Sequence, residues 1–504
     1  MAHQTRRRRT QEASFFIDGE IMQEPPFILR KASQKETTEA PPLRGLKVVE
    51  FAGLAPGPFV GLILADFGAD VIRIDKVGAG INTDTLTRGK RSIAVDPKSP
   101  TGLKTLRRLI READVLIEPF RPGVMERLGL GPEHVVEGKG GGEGLSANPR
   151  LVYARLTGFQ RQGPYANMAG HDINYIALSG VLSMLSNQSA SPSHPNPPPS
   201  FPANLLADFA GGSLICLVGI LLALISRAQT SKGQVVEADM VTGARYVATF
   251  QVLMSYIVHP QWGAMFGKGD KQSRGTGVLD GAAPWYGVYK TRDDKWMSVG
   301  AIEPQFYAEL LRLLRASVPS APESCPPHPS PAEQHSRSEW PNLRIYFTTI
   351  FAQRTRAAWT ETFLGTDACC VPVLDRDEAL LPAGSGREAG VTLGGGILPY
   401  LPSAHATLVQ SGEHNPIPPS PAPALRGTPA RIAPGSAEAL ARSASGQGGE
   451  DEDVQLLMNS GEHTFDILRE WIGASDQEIE KLYRQKAIGA TDVPEEWNAP
   501  ASKL

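Results

Sequence analysis

From residue 47 onward, short apolar runs alternate with amphipathic stretches. Residues 47–51 read as a strand, 58–67 as a helix and 70–74 as a second strand. Strand, helix, strand is the pattern of a parallel βαβ unit. It continues through a strand at 92–95, a helix at 101–113 and a strand at 115–117. The fold class expected is therefore α/β, with a Rossmann-like, doubly wound large domain. A second ordered region carries a strand at 297–299 and a helix at 303–314, which predicts a smaller α+β domain. Helical patterns return at 463–471 and 476–485.

The longest apolar stretch, 214–225, is interrupted by Gly219 and flanked by Asp208 and Arg227. It falls short of the roughly 20 residues that cross a bilayer, so it reads as a buried core helix and no membrane span is expected. Gly, Pro and Ser concentrate at 138–144, 186–202, 316–337 and about 410–452, which read as loop insertions or linkers. The organisation expected is an N-terminal extension without fixed structure (1–42), a large domain (43–250) and a linker (251–276). A small domain (277–400), a low-complexity insertion (401–452), C-terminal helices returning to the large domain (453–490) and a tail (491–504) follow.

The 504 residues, 41% hydrophobic and 20% charged, supply cores for two or more domains and argue against a disordered or fibrous chain. Fifty Lys+Arg against 53 Asp+Glu leave a net charge of −3, which gives no reason to expect nucleic acid as partner. Cys216, Cys325, Cys369 and Cys370 form no Cys-x-x-Cys and have no matching histidine spacing, so neither a disulfide framework nor a metal site is expected. Arg6 to Arg9 precede no apolar segment, so a secretory signal is not expected, and Asp18, Glu20 and Glu24 weaken a mitochondrial reading. The last residues, Ser502-Lys503-Leu504, are the tripeptide of the peroxisomal address, so the expected location is the peroxisome, with the import receptor as a partner. Whether the arginine cluster adds a mitochondrial or cytosolic pool is left open.

The usual nucleotide and hydrolase signatures are missing: no G-x-G-x-x-G, no P-loop, no G-x-S-x-G and no H-E-x-x-H. What stands instead is an ordered series of segments. Leu43-Arg44-Gly45-Leu46-Lys47-Val48-Val49-Glu50 and Ala55-Pro56-Gly57-Pro58 lead to Leu64-Ala65-Asp66-Phe67-Gly68-Ala69-Asp70. Arg88-Gly89-Lys90-Arg91-Ser92 and Glu118-Pro119-Phe120-Arg121-Pro122-Gly123 follow. Then come Gly170-His171-Asp172-Ile173-Asn174-Tyr175, Ala207-Asp208-Phe209-Ala210-Gly211-Gly212-Ser213 and Gly300-Ala301-Ile302-Glu303-Pro304. This series resembles the type III CoA-transferase (CaiB/BaiF) family, and within it the racemases of 2-methylacyl-CoA thioesters, over roughly residues 43–380.

The resemblance implies an isomerase that exchanges the R and S configurations of 2-methyl-branched acyl-CoA thioesters by 1,1-proton transfer through an enolate, in branched-chain fatty acid oxidation. Such a reaction needs two acid/base groups flanking the α-carbon. In the resembled racemases these are the histidine of Gly-His-Asp and the aspartate of Ala-Asp-Phe, which carry over to His171 and Asp208. An accompanying carboxylate pair carries over to Asp172 and Glu303, acting with them or holding their protonation states. An enolate oxygen also needs preorganised donors, for which the backbone at Gly211-Gly212-Ser213 is the expected source. Without the resemblance, Asp208 reads as a helix cap.

Coenzyme A belongs to the substrate, and no separate cofactor is expected. Its phosphates call for cations. Lys76, Lys98, Arg121 and Arg127 match basic positions that contact CoA in the family, and Leu54 and Val95 match backbone or apolar contacts. Arg88, Lys90 and Arg91 are expected to add positive charge. The family commonly has arginine where Lys76 stands, which exchanges a forked contact for a point charge. The resemblance further implies an interlocked homodimer, with His171 and Asp208 from one chain and Glu303 from its partner. Two other readings stay open: a CoA-transferase in which Asp208 is the nucleophile, and a non-catalytic acyl-CoA-binding protein.

Overall fold

The computed structural model describes residues 40–79, 84–139, 147–186, 198–259, 263–266, 274–375 and 458–498, with a few positions between 422 and 430. The N-terminal arginines, the Ser502-Lys503-Leu504 tail and nearly all of 401–452 lie outside them.

The apolar runs at the start of the chain become β1 (Lys47–Phe51), β2 (Asp70–Asp75), β3 (Lys90–Val95), β4 (Val115–Glu118), β5 (Val152–Thr157) and β6 (Val235–Asp239). They pair in parallel in the order β3-β2-β1-β4-β5-β6, and the C-terminal strand Ile488–Gly489 adds antiparallel to β3. Strands covered on both faces are rich in apolar residues, and β4 and β5 are wholly buried, with Glu118 of β4 and Arg155 of β5 paired inside the sheet. One face is covered by α1 (Pro56–Asp66), α3 (Asp172–Ser179), α4 (Leu205–Thr230) and α5 (Met240–Val247), through Val60, Leu64, Ile176 and Ile220. The other is covered by α2 (Pro100–Glu112) and the C-terminal helices Thr464–Ile472 and Asp476–Arg484, through Leu106, Leu109, Ile467 and Ile479. The doubly wound sheet is thus the fold that the strand–helix alternation implies.

Strand order reverses between β1 and β4, and the crevice at such a switch point is where open α/β sheets bind ligands. Here the loops after β1 and β4 touch: a Cβ on Gly53 would lie 2.7 Å from Pro119 Cγ. Besides the pairing of Ile488–Gly489, the C-terminal segment docks on β3 through Ser92 and through Ala94 N–H, which donates to Thr464 Oγ1 at 3.2 Å. Ser92 Oγ accepts from Gly461 N–H at 2.7 Å, and Ser92 N–H donates to His463 Nδ1 at 3.2 Å.

Helix α4 departs from the sequence reading. It runs from Leu205 to Thr230 without a break, and its first ten residues are wound as a wide-turn π-helix. The glycines that look like a helix start lie inside it because the neighbouring helix needs them bare. A Cβ on Gly243 would fall 1.8 Å from Gly211 O, so α4 and α5 meet backbone to backbone. By length and composition α4 could cross a membrane: mean hydropathy reaches 2.4 over 18 residues, a third of that window being buried. It lies across β5 and β6 instead, with Cys216, Ile220 and Ala223 turned down and Leu214, Val218, Leu222 and Ile225 left exposed.

The smaller unit has an antiparallel sheet of β7 (Tyr286–Lys290), β8 (Trp296–Gly300) and β9 (Cys370–Val373). Helices α6 (Pro304–Ser317), α7 (Trp340–Phe351) and α8 (Arg356–Phe363) surround a core of Trp285, Tyr307, Phe347, Phe351 and Trp359. Two segments read as linkers join this core. Met265 and Phe266, from 251–276, are buried in it. In 316–337, the buried Gln334 accepts the indole N–H of Trp285 and of Trp340 on its backbone oxygen, each at 2.9 Å.

Candidate active site

His171 is the residue that opens α3, with extended backbone and an exposed side chain. Its N–H donates to Asn174 Oδ1 at 3.0 Å, the local bond that starts the helix there. Helix N-termini leave their first amides without an intrahelical partner. The amides of Asp172 and Ile173 occupy that position in α3.

Asp172 turns the other way. It is 3% exposed, and its Oδ2 accepts the N–H groups of Ala207 at 2.7 Å and Asp208 at 2.8 Å. Its Oδ1 is buried without a partner among the described residues. A carboxylate spanning two helix starts in this way sets how Asp208 is presented to His171. Asp208 lies in the first turn of α4, half-buried, with Oδ2 accepting from Asn204 Nδ2 at 3.2 Å. It does not cap α4, since Asn204 occupies that place.

Burial pushes the Asp208 carboxyl above the ordinary carboxylate range; the Asn204 hydrogen bond opposes this, the Asp172 charge reinforces it and His171 opposes it. A carboxylate whose proton affinity is raised is a stronger base toward an α-proton. Ser213 fixes the wide turn behind it, its Oγ lying 3.0 Å from Asp208 O and 2.8 Å from Pro56 O.

This arrangement corrects the expected source of oxyanion donors. Gly211, Gly212 and Ser213 lie within α4, where backbone amides serve the helix, so they do not form an open helix start. The exposed N-terminus of α3 is the available one.

Glu303 stands apart. It precedes Pro304 at the start of α6 in the smaller unit, and among the described residues no hydrogen bond or ion pair joins it to His171, Asp172 or Asp208. Gln334 holds the backbone just before it, its Nε2 donating to Ala301 O at 3.1 Å and Ile302 O at 2.8 Å. Nothing in the Ser- and Pro-rich run around Gln334 signals this role.

Five of the six candidate CoA contacts follow C-terminal ends of strands: Leu54 after β1, Lys76 after β2, Lys98 after β3, Arg121 and Arg127 after β4. Leu54 is 77% exposed at the mouth of the crevice, and both arginines and both lysines are exposed. Arg121 Nη1 donates to Asn167 O at 3.1 Å, tying the β4 loop to the segment before His171. A buried network missed in sequence holds that loop. Glu118 accepts Arg155 Nε at 2.9 Å and Phe120 N–H at 2.8 Å, with Arg161 3.5 Å away.

Val95 is different: its side chain is buried in the core and its strand pairs with Ile488, so only its backbone is placed for contact. Arg88, Lys90 and Arg91 do not add free positive charge. Arg88 forks onto Asp66 at 2.9 and 2.6 Å. Arg91 meets Asp70 at 2.7 Å and Glu470 at 2.6 Å. Lys90 is fully buried, 2.8 Å from Glu50 Oε2 and from Pro58 O. Among the described residues no cluster of three or more His, Cys, Asp or Glu could hold a metal ion.

Comparison with known proteins fits this geometry. The pattern of CoA-transferase family III matches residues 43–392. The mouse alpha-methylacyl-CoA racemase is 42% identical over 446 residues, covering 88% of this chain and 97% of the mouse protein. The human racemase is 40% identical over 451 residues, covering 90% and 98%. The crystal structure of a CAIB/BAIF family protein from Brucella suis superposes with a TM-score of 0.50 at 27% identity, covering 67% of this chain and 85% of that one. With its switch-point sheet and with more than two thirds of its length matched, the chain belongs to CoA-transferase family III.

Proposed function

We propose that the protein is a racemase of 2-methyl-branched acyl-CoA thioesters, interconverting R and S forms by proton transfer at the α-carbon. The observation that carries the proposal is the pairing of His171, at the start of α3, with Asp208, in the first turn of α4, joined through Asp172. The 42% and 40% identity to mammalian racemases over nearly the whole chain supports the same reading.

In the proposed reaction one of His171 and Asp208 takes the α-proton while the other delivers a proton to the opposite face. The enolate oxygen lies against the free amides at the start of α3, where the helix dipole also favours negative charge. Asp172 orients Asp208 and keeps its proton affinity high. CoA lies along the switch-point crevice, its phosphates near Lys76, Lys98, Arg121 and Arg127 and its adenosine and pantetheine near Leu54 and the Val95 backbone. Proton transfer alone completes the cycle, so the reading requires no cofactor beyond the CoA of the substrate.

The working form is proposed to be a homodimer. The exposed stripe Leu214, Val218, Leu222 and Ile225 and the neighbouring Tyr246, Phe250 and Tyr256 supply the apolar surface such a partner covers. Glu303 of the second copy would then complete the site. The sequence ending in Ser502-Lys503-Leu504 supports a peroxisomal location, where inversion would make branched acyl chains acceptable to a stereospecific oxidation step.

The test is chiral analysis of an enantiopure 2-methylacyl-CoA after incubation with the protein and with the variants His171→Ala and Asp208→Asn. Inversion by the wild type, lost in both variants, supports the proposal. Transfer of CoA to an added free acid without inversion, abolished by Asp208→Asn alone, replaces it with nucleophilic transfer by Asp208.

A further inference from the structure

The peptide unit between Gly170 and His171 is gripped at both polar ends by side chains from the first turns of α3. Asn174 Oδ1 accepts its N–H at 3.0 Å, and the Tyr175 hydroxyl donates to its carbonyl, Gly170 O. Tyr175 is 9% exposed and its ring fits only because two residues beside it are glycine. A Cβ on Gly158 would meet Tyr175 Cζ at 2.2 Å, and a Cβ on Gly170 would meet Tyr175 Cε1 at 2.8 Å. Phe159 closes the ring's edge, with centroids 4.9 Å apart and planes at 84°. Burial raises the proton affinity of the phenol first, the charges of Asp208 and Asp172 add to it, and Arg121 opposes it.

A single peptide held on both sides is more than α3 needs in order to start, since one accepted N–H suffices for a cap. What the second grip fixes is the rotation of the peptide that precedes the imidazole. Resting on the racemase reading above, we propose that Asn174 and Tyr175 are positioning residues that clamp the Gly170–His171 peptide and so hold His171 at its proton-transfer distance from the α-carbon. Neither touches the substrate in this account; each acts through His171. Displacement of a reacting group by about 1 Å can lower a rate roughly 100-fold, which gives the clamp a measurable effect.

The test compares Tyr175→Phe and Asn174→Ala with the wild type. Tyr175→Phe keeps the ring between Gly158 and Gly170 and removes only the hydroxyl. Each variant is assayed with both enantiomers of a 2-methylacyl-CoA in D2O, following inversion and deuterium incorporation separately. The expected result is a fall in kcat of about tenfold or more, KM within a factor of two and an unchanged melting temperature for Tyr175→Phe. For the one enantiomer that Asp208 deprotonates, the ratio of exchange with retention to inversion rises. The enolate then waits for a misplaced His171 and recaptures a proton from Asp208. For the other enantiomer, where retention needs return of the proton from His171, the ratio falls.

Unchanged kcat and ratio in both variants overturn the clamp, as do equal changes for both enantiomers with a lowered melting temperature, which mark a structural role. Absence of exchange and inversion in the wild type overturns instead the racemase reading on which the clamp rests.

Discussion

Replacing Lys90 with methionine isolates the most deeply buried charge pair among the described residues. Both Lys90 and Glu50 side chains are fully buried, 2.8 Å apart, and the ammonium also serves Pro58 O in the first turn of α1. Gly61 is bare because the Glu50 carboxylate occupies its side-chain space, with Oε2 1.7 Å from where a Cβ would stand. Removing one partner of such a pair leaves an uncompensated charge, at a cost of about 3–5 kcal/mol. For a domain of this size that is a fall in melting temperature of about 6–20 °C.

The deficit in Lys90→Met should depend on pH. Burial is the largest influence on Glu50 and raises its proton affinity, against the attraction of Lys90. Without Lys90 the folded-state value moves further above the unfolded one. Stability from that shift is present at low pH and is lost as pH rises through the folded value. Melting followed by near-UV circular dichroism should therefore show a smaller deficit at pH 5 than at pH 7, and the double variant Glu50→Gln/Lys90→Met should recover much of the loss. A deficit under about 1 kcal/mol, or one identical at both pH values, refutes the reasoning.

Asp172→Asn keeps an acceptor oxygen for the Ala207 and Asp208 amides but removes the charge that adds to the raised proton affinity of Asp208. The limb of kcat/KM that requires ionised Asp208 should move to lower pH, and a pH–rate profile on each enantiomer reads it. His463 accepts Ser92 N–H in a site where burial lowers its proton affinity, so its contribution is present above pH 6.5 and fades as pH falls through its folded value. The difference in melting temperature between wild type and His463→Gln should shrink from pH 7 to pH 5. Gly53→Ala sets a methyl against Pro119 at the crevice, a strain of about 1–3 kcal/mol, and should raise KM for acyl-CoA while leaving kcat near its wild-type value in steady-state assays.

The sheet is legible in sequence because strands such as β1 and β2 carry short apolar centres, Val48-Val49 and Val71-Ile72, bounded by loops, even with Glu50 and Arg73 buried beside them. Helix α4 is not. Gly211 and Gly212 look like punctuation, whereas Gly211 is bare against the Gly243-Ala244 backbone and Gly212 against Met240, both on a neighbouring helix absent from any local window. His171 and Asp208 stand out by residue type and surrounding motif. What positions them does not: Asp172 works through backbone amides 35 and 36 residues away. The basic residues 88–91 mislead for a related reason, since sequence reveals their charge but not the acids that α1, β1 and the distant Glu470 bring to them. Gln334, in a segment of loop-like composition, becomes a hub only once the two tryptophans fold onto it.

The measurement that tests the central claim most directly is α-proton exchange. An enantiopure 2-methylacyl-CoA is incubated with the purified full-length protein in D2O, and deuterium at the α-carbon and configuration are followed together by NMR and chiral chromatography. The account predicts deuterium incorporation coupled to inversion from either enantiomer toward the same mixture, abolished in His171→Ala. Retention of both the proton and the configuration by wild-type protein that binds the thioester would contradict it.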